Sequence, residues 1–338
     1  MSDDAQREAT DSRMDHLQPD TLKAREVGLS ERLGVLLPLS AWVVLVIYFA
    51  FASPAFATPI NAFNIIRQSS VLLVVGLAGT FVILIGSIDL SVGSIVTLAG
   101  ISAAMAVNAW GDLGVVAALA AGLLCGLLNG ALHAYGKLPS FLVTLGSLFM
   151  IQGIGLILCQ GRPQPWNSEL LMSFMGGTTV AGFPVIGVWA LAVFAVTIFV
   201  AKRTRFGRYL VAIGDGERVA RMSGVPVDRI KLYAFALSGF LAALGGVMLA
   251  VRMSSGAPAM GDPFLLDSIA AIVLGGTALT GGVGGPQRTI LGVLVITTLS
   301  NGMTITQVDP FYQIAIRGAV VIAAVALTMR REELGLIK

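Results

Sequence analysis

Apolar residues fill most of this 338-residue chain, and polar residues collect at its start and in one later stretch. Ten apolar runs stand out, near 34–52, 66–86, 90–108, 113–136, 140–160, 184–201, 232–253, 268–283, 288–305 and 311–329. Most approach the roughly 20 residues that an α-helix needs to cross a bilayer. The pattern predicts an all-α polytopic membrane protein with about ten transmembrane helices. The breaks inside 66–108 and 268–305 are the shortest. Residues 1–32 read as a polar cytoplasmic N-terminal segment, disordered or weakly helical, 33–331 as the transmembrane domain, and 332–338 as a cytoplasmic tail.

Composition agrees with the pattern. The chain is 56% hydrophobic and only 12% charged, against about 25% charged in soluble domains. Its 40 glycines suit closely packed membrane helices. No basic start followed by an apolar core marks a signal peptide in residues 1–32.

Charge sets the expected orientation. Lys202, Arg203, Arg205, Arg208, Arg218, Arg221, Arg229 and Lys231 crowd the stretch 202–231, eight of the 22 basic residues. Basic loops stay cytoplasmic, so 202–231 and both termini are expected inside and 161–183 outside. Within the loop, Asp215 or Gly216 is placed to start a short helix and Gly224 to stop it. Such a helix fits either docking of a partner or a basic anchor on anionic lipid.

The two halves look related. Leu128-Asn129-Gly130 precedes Pro139 as Ser300-Asn301-Gly302 precedes Pro310, and Val82–Ser87 resembles Ile272–Thr277. Spans 2–5 are therefore expected to recur as spans 7–10 in inverted orientation, a transporter arrangement.

Few residues carry candidate chemistry. Asp89 is the only ionisable residue between Arg67 and Asp112, within Gly86-Ser-Ile-Asp-Leu-Ser-Val-Gly-Ser94. A carboxylate at that depth must sit at an interface, line a polar cavity or be paired. The run reads as a break between helices or a discontinuous helix near a pathway. Gly122, Gly126 and Gly130 share one helix face and predict close helix approach. Asp267 is expected to cap a helix, Arg317 to snorkel or pair within the bundle, and Asn129 and Asn301 to hydrogen-bond between helices. Cys125 and Cys159 read as small core residues. His16 and His133 are isolated, so neither metal site nor catalytic residue is expected. The phosphate-binding pattern of glycine, four residues and Gly-Lys-Ser/Thr is missing, since Gly136-Lys137 is followed by Leu138. No cofactor is expected, and any ATP must be bound by another chain.

These residues together resemble a family. Gly86–Ser94 is similar to the signature of the permease subunits of ribose/xylose/arabinose-type sugar ABC importers. Pro139–Gly146, Gly161-Arg-Pro163, Thr204–Arg208, Ala220–Gly224 and Asp267–Gly285 resemble further blocks of that family, in order. The resemblance covers roughly 35–331. It departs at Gly86-Ser87, where the family has two glycines, and at Glu217–Ala220, which is less alanine-rich.

The resemblance implies a non-enzymatic permease domain that moves a monosaccharide inward by alternating access in a bacterial inner membrane. It implies a second permease copy, a cytoplasmic ABC ATPase and a periplasmic sugar-binding protein as partners, and no nucleic acid. It makes 202–231 a coupling loop, with Arg208, Glu217, Ala220, Arg221 and Gly224 as coupling candidates. Asp89, Ser91 and Asn129 are the candidates for the pathway or its gate. A self-powered secondary transporter and a branched-chain amino-acid permease remain as alternatives. A membrane enzyme would need a paired base and nucleophile or a metal cluster, and neither is visible in the sequence.

Overall fold

The computed structural model describes residues 18–178 and 182–333. Twelve helices dominate it: α1 (Gln18–Ala52), α2 (Pro59–Leu84), α3 (Val92–Trp110), α4 (Gly114–Ala134), α5 (Ser140–Cys159), α6 (Glu169–Leu171), α7 (Val185–Arg203), α8 (Arg205–Met222), α9 (Val227–Met253), α10 (Asp262–Leu274), α11 (Pro286–Ile305) and α12 (Pro310–Glu333). The protein is an all-α membrane protein, with one small pair of two-residue strands, β1 (Gln164–Pro165) and β2 (Ser255–Gly256). Each of the ten predicted spans coincides with a helix. Eight described helices are long and apolar enough to cross a membrane.

Two expectations are adjusted. The first span is longer than its apolar run, because α1 begins at Gln18 and takes in residues 18–32; residues 1–17 and 334–338 lie outside the described residues. The eighth is shorter, because α10 has 13 residues, about 20 Å at 1.5 Å per residue, against a hydrocarbon thickness of about 30 Å. The chain makes up the distance before α10. Ser255–Gly256 pairs with the 160–184 segment, Gly256 packs on the backbone of Gly100, and the Gly261 N–H donates to Thr97 Oγ1 at 2.9 Å. The two-residue strand and the turn 258–261 thus run along α3 before the helix begins.

The core is built by α2, α3 and α9, each about four-fifths buried, whereas only 11% of the α1 stretch Val35–Ala52 is buried. α1 is held on α11, by Trp42 Nε1 donating to Thr298 Oγ1 and by Phe49, Phe56 and Met303 packed together. The Gly122–Gly126–Gly130 stripe lies against α9, where Gly239 faces Gly122 and Gly126; a Cβ on Gly126 would stand 2.2 Å from the Phe235 carbonyl oxygen. Absent side chains let these two backbones touch.

Helix contacts follow a twofold scheme. α4 lies on α9 as α11 lies on α2, and α3 lies on α9 as α10 lies on α2. Within each unit, α3 meets α4 and α5 as α10 meets α11 and α12. Spans 2–5 and 7–10 therefore form matching units joined along α2 and α9.

The likeness of Val82–Ser87 to Ile272–Thr277 has a different origin. These stretches end α2 and α10, which are not equivalent members. Both are the same helix stop: Ser87 N–H donates to Val82 O and Thr277 N–H to Ile272 O, both at 3.1 Å, with Gly86 and Gly276 at positive φ. Six-residue closures of this kind require a left-handed residue, which glycine supplies.

Candidate functional site

Asp89 sits in the turn between α2 and α3, 5% exposed. Its Oδ1 accepts from the Ser91 N–H at 3.0 Å and the Ser91 hydroxyl at 2.6 Å, and its Oδ2 accepts from Ser238 Oγ on α9 at 3.0 Å. Asn129 Nδ2 on α4 donates to Ser91 Oγ at 2.8 Å, and Ser147 Oγ on α5 donates to Asn129 Oδ1. One polar chain therefore ties four helices through a buried carboxylate. Asp89, Ser91 and Asn129, the candidates for the pathway or its gate, are brought together inside a packed junction. They line none of the described cavities. Ser238 and Ser147 complete the network; serines in apolar helices gave no signal of this in the sequence.

Asn301 does not reproduce Asn129. Its carbonyl oxygen is buried without a hydrogen-bond partner among the described residues, because α11 here faces the apolar cluster that seats α1. Asp267 is no cap: it stands beyond the first turn of α10, and Arg317 Nη1 on α12 reaches its Oδ2 at 3.4 Å.

The basic loop is ordered. Thr204 caps α8 by accepting the Gly207 N–H at 3.3 Å. Gly216 has extended φ/ψ and divides α8 in two. Its second piece, Glu217–Met222, ends where Val225 N–H donates to Ala220 O at 3.1 Å and Gly224 takes φ +82°. The predicted short helix is thus present, with a further helical segment before it.

Ion pairs fasten this helix to the membrane domain. Arg221 gives two N–H groups to Asp228 at the start of α9, each at 2.9 Å, and Lys137 from the α4–α5 turn reaches the same carboxylate at 2.8 Å. Glu217 accepts from Lys231 at 2.6 Å and from Arg221 at 3.2 Å. Partial burial pushes the Glu217 carboxyl up, but Lys231 and then Arg221 together hold it below its ordinary value of 4.5. Ala220 is buried beneath the helix. Arg208 is exposed on the first segment of α8, apart from the Glu217 network. Val219 and Met222 face outward, 69% and 81% exposed. Asp228, Lys137, Val219 and Met222 were not singled out from the sequence, since each looks ordinary until the helix is placed.

The loop also touches both helix breaks. A Cβ on Gly214 of α8 would stand 2.1 Å from Gly282 N and 2.1 Å from Leu84 O. A Cβ on Gly281 would stand 2.6 Å from Gly86 N. α8 therefore packs at once on the end of α2, just before the Asp89 turn, and on the 275–285 run.

Known proteins share this pattern. The family described as branched-chain amino acid transport system / permease component matches residues 61–325. The ribose import permease protein RbsC of Haemophilus influenzae is 38% identical over 84% of this chain and 90% of its own length. RbsC of Bacillus subtilis is 34% identical over 94% of this chain and 98% of its own. The xylose transport system permease protein XylH of Haemophilus influenzae is 32% identical over 88% of this chain and 96% of its own. With a buried polar junction, an ordered basic loop and likeness along nearly the whole length, this chain belongs to the family of multi-pass transport permeases that includes the ribose and xylose import permeases.

Proposed function

We propose that the chain is the membrane subunit of an ATP-driven importer that carries a monosaccharide inward by alternating access, in a bacterial inner membrane. The single observation that carries this is the Glu217–Met222 helix, anchored by Asp228 and Lys231 while presenting Val219 and Met222 outward. An exposed apolar pair on a rigidly held polar helix suits a partner protein better than a lipid headgroup layer. A cytoplasmic ABC ATPase is the fitting partner. Basic residues around this helix favour the cytoplasmic side, which puts both termini inside and 160–184 outside, toward a periplasmic sugar-binding protein. A second permease copy completes the importer. Sugar is preferred over branched-chain amino acids because relatives named for ribose and xylose match almost end to end.

The mechanism follows from rigid connections. ATP-driven movement of the docked helix passes through Gly214 to the backbone of Leu84 and Gly282, and so to the Asp89 turn that holds α3, α4, α5 and α9 together. Asp89, Ser91 and Asn129 act in this reading as the joint of the gate. The test is purification from native membranes in mild detergent. Recovery of an ATPase near 1:1 with vanadate-sensitive hydrolysis is expected. A chain that purifies alone and still drives gradient-powered uptake would overturn the proposal in favour of a secondary transporter.

A further inference from the structure

The two units carry equivalent clefts of opposite chemistry. Aligning Asn129-Gly130 with Asn301-Gly302 pairs Leu128 with Ser300 and Leu132 with Thr304. Aligning Pro139 with Pro310 pairs Leu142 with Gln313 and Gly146 with Arg317. Leu128, Leu132, Leu142 and Gly146 all line one groove between α4 and α5. Ser300, Thr304, Gln313 and Arg317 all line another, of about 240 Å³, between α11 and α12. The fold makes the same hollow twice, and the residues differ at each paired lining position.

The second hollow is lined largely by polar and charged groups. Asp267 and Phe264 of α10, Gln68 of α2 and Arg252 of α9 also line it, beside apolar Leu72 and Ile296. The Asp267–Arg317 pair is loose, at 3.4 Å, with side chains 18% and 28% exposed. Gln313 is 8% exposed and gives its Nε2–H to Val308 O at 2.8 Å, leaving its carbonyl oxygen uncommitted among the described residues. An ion pair within a membrane domain costs desolvation that apolar packing would avoid, and in such a setting it marks a solute path.

We infer that the cleft between α10, α11 and α12 is a binding station for a neutral polyhydroxylated solute, and that its counterpart between α4 and α5 is not. This rests on the sugar-importer reading. Asp267 and the Gln313 carbonyl accept from hydroxyls, Arg317, Ser300 and Thr304 donate to them, and Phe264 offers an apolar face to the C–H side of a sugar ring. The cleft lies in the half of the bundle opposite the basic loop, where a solute delivered at the 160–184 end arrives first.

The experiment uses the full chain with its ATPase and binding protein in cells lacking other pentose permeases, with labelled D-ribose and D-xylose. Wild-type uptake of neither sugar, nor of any in a panel of labelled hexoses, overturns the sugar reading itself. Given wild-type uptake, the variant Ser300→Leu/Thr304→Leu/Gln313→Leu, which installs the residues of the first unit, is expected to raise the apparent KM roughly tenfold or more and to alter the ribose-to-xylose preference at unchanged membrane abundance. Unchanged KM and preference would overturn the station. If that variant fails to accumulate, Gln313→Cys in a Cys125→Ser/Cys159→Ser background replaces it. Transported sugar is then expected to slow labelling by an impermeant maleimide, and not at Leu142→Cys. Labelling at Gln313→Cys that ignores the sugar would overturn the station equally.

Discussion

The backbone N–H of Gly282 donates to the carbonyl oxygen of Leu84 at 3.0 Å. This bond joins the end of α2 to the run that precedes α11, and Gly214 of the basic loop lies on both partners. The contact of loop and membrane domain is thus backbone on backbone. Neither side can absorb displacement by changing a rotamer.

Gly214→Val is therefore expected to wedge the junction apart. Overpacking of this kind costs about 1–3 kcal/mol, and here it falls on the path we propose between loop and gate. Transport should drop severely while membrane insertion persists. Uptake measured against membrane abundance checks this, and normal uptake would remove the junction from the mechanism.

Asp89→Leu leaves the donors of Ser91 and Ser238 without their buried acceptor. Each such group costs about 1–3 kcal/mol, so thermal unfolding in detergent should begin at clearly lower temperature. Asp89→Asn keeps the shape and part of the bonding and should fall between. Equal stability of all three proteins would refute the role of Asp89 as a joint.

Asp228→Asn should leave stability nearly intact, since partly exposed ion pairs contribute about 0–1 kcal/mol. Its effect is expected on coupling: more ATP hydrolysed per sugar carried, because Arg221 and Lys137 lose their common anchor. Failure of Asp228→Asn to change that ratio would show that the anchor is dispensable.

Glu217 predicts a pH dependence with a definite sign. Its folded carboxyl titrates below the ordinary value of 4.5, so its contribution is complete above that value. It is lost as pH falls through the lower folded value. Hydrogen exchange of residues 217–228 should be flat from pH 8 to 6, after correction for intrinsic rates. It should rise in strongly acidic solution, and Glu217→Gln should reduce that acid rise, leaving the part that Asp228, also held below its ordinary value by Arg221 and Lys137, supplies. An acid rise of equal size in Glu217→Gln would assign the change to another group.

Val219→Ser/Met222→Gln should weaken ATPase association by about tenfold or more, as truncation of central apolar contacts does, with folding unchanged. Titrating the purified subunits against one another measures this. Undiminished affinity would place the docking surface elsewhere.

Legibility differed by residue. Gly224 was readable as a helix stop because a left-handed cap is a local requirement. Gly122, Gly126 and Gly130 were readable as a packing face because their spacing follows the helix repeat. Asp267 was misjudged as a cap, since its partner Arg317 is 50 positions away and adjacency across helices leaves no local trace. Val82–Ser87 and Ile272–Thr277 misled for the converse reason: local stop chemistry can imitate a repeat.

The amino-acid sequence by itself determined the membrane class, the ten apolar elements, the basic loop and the related halves. Each of these rests on helix length, hydropathy or local turn chemistry, which neighbouring residues dictate. Tertiary structure alone decided that Ser238 of α9 joins neighbouring Ser91 on the Asp89 carboxylate, that α10 is a short helix preceded by a two-residue strand and a turn packed on α3, and that two equivalent hollows differ in polarity. Those features depend on which helix faces meet, and in a chain with so few charged residues that choice is made by close packing of small side chains across the whole bundle.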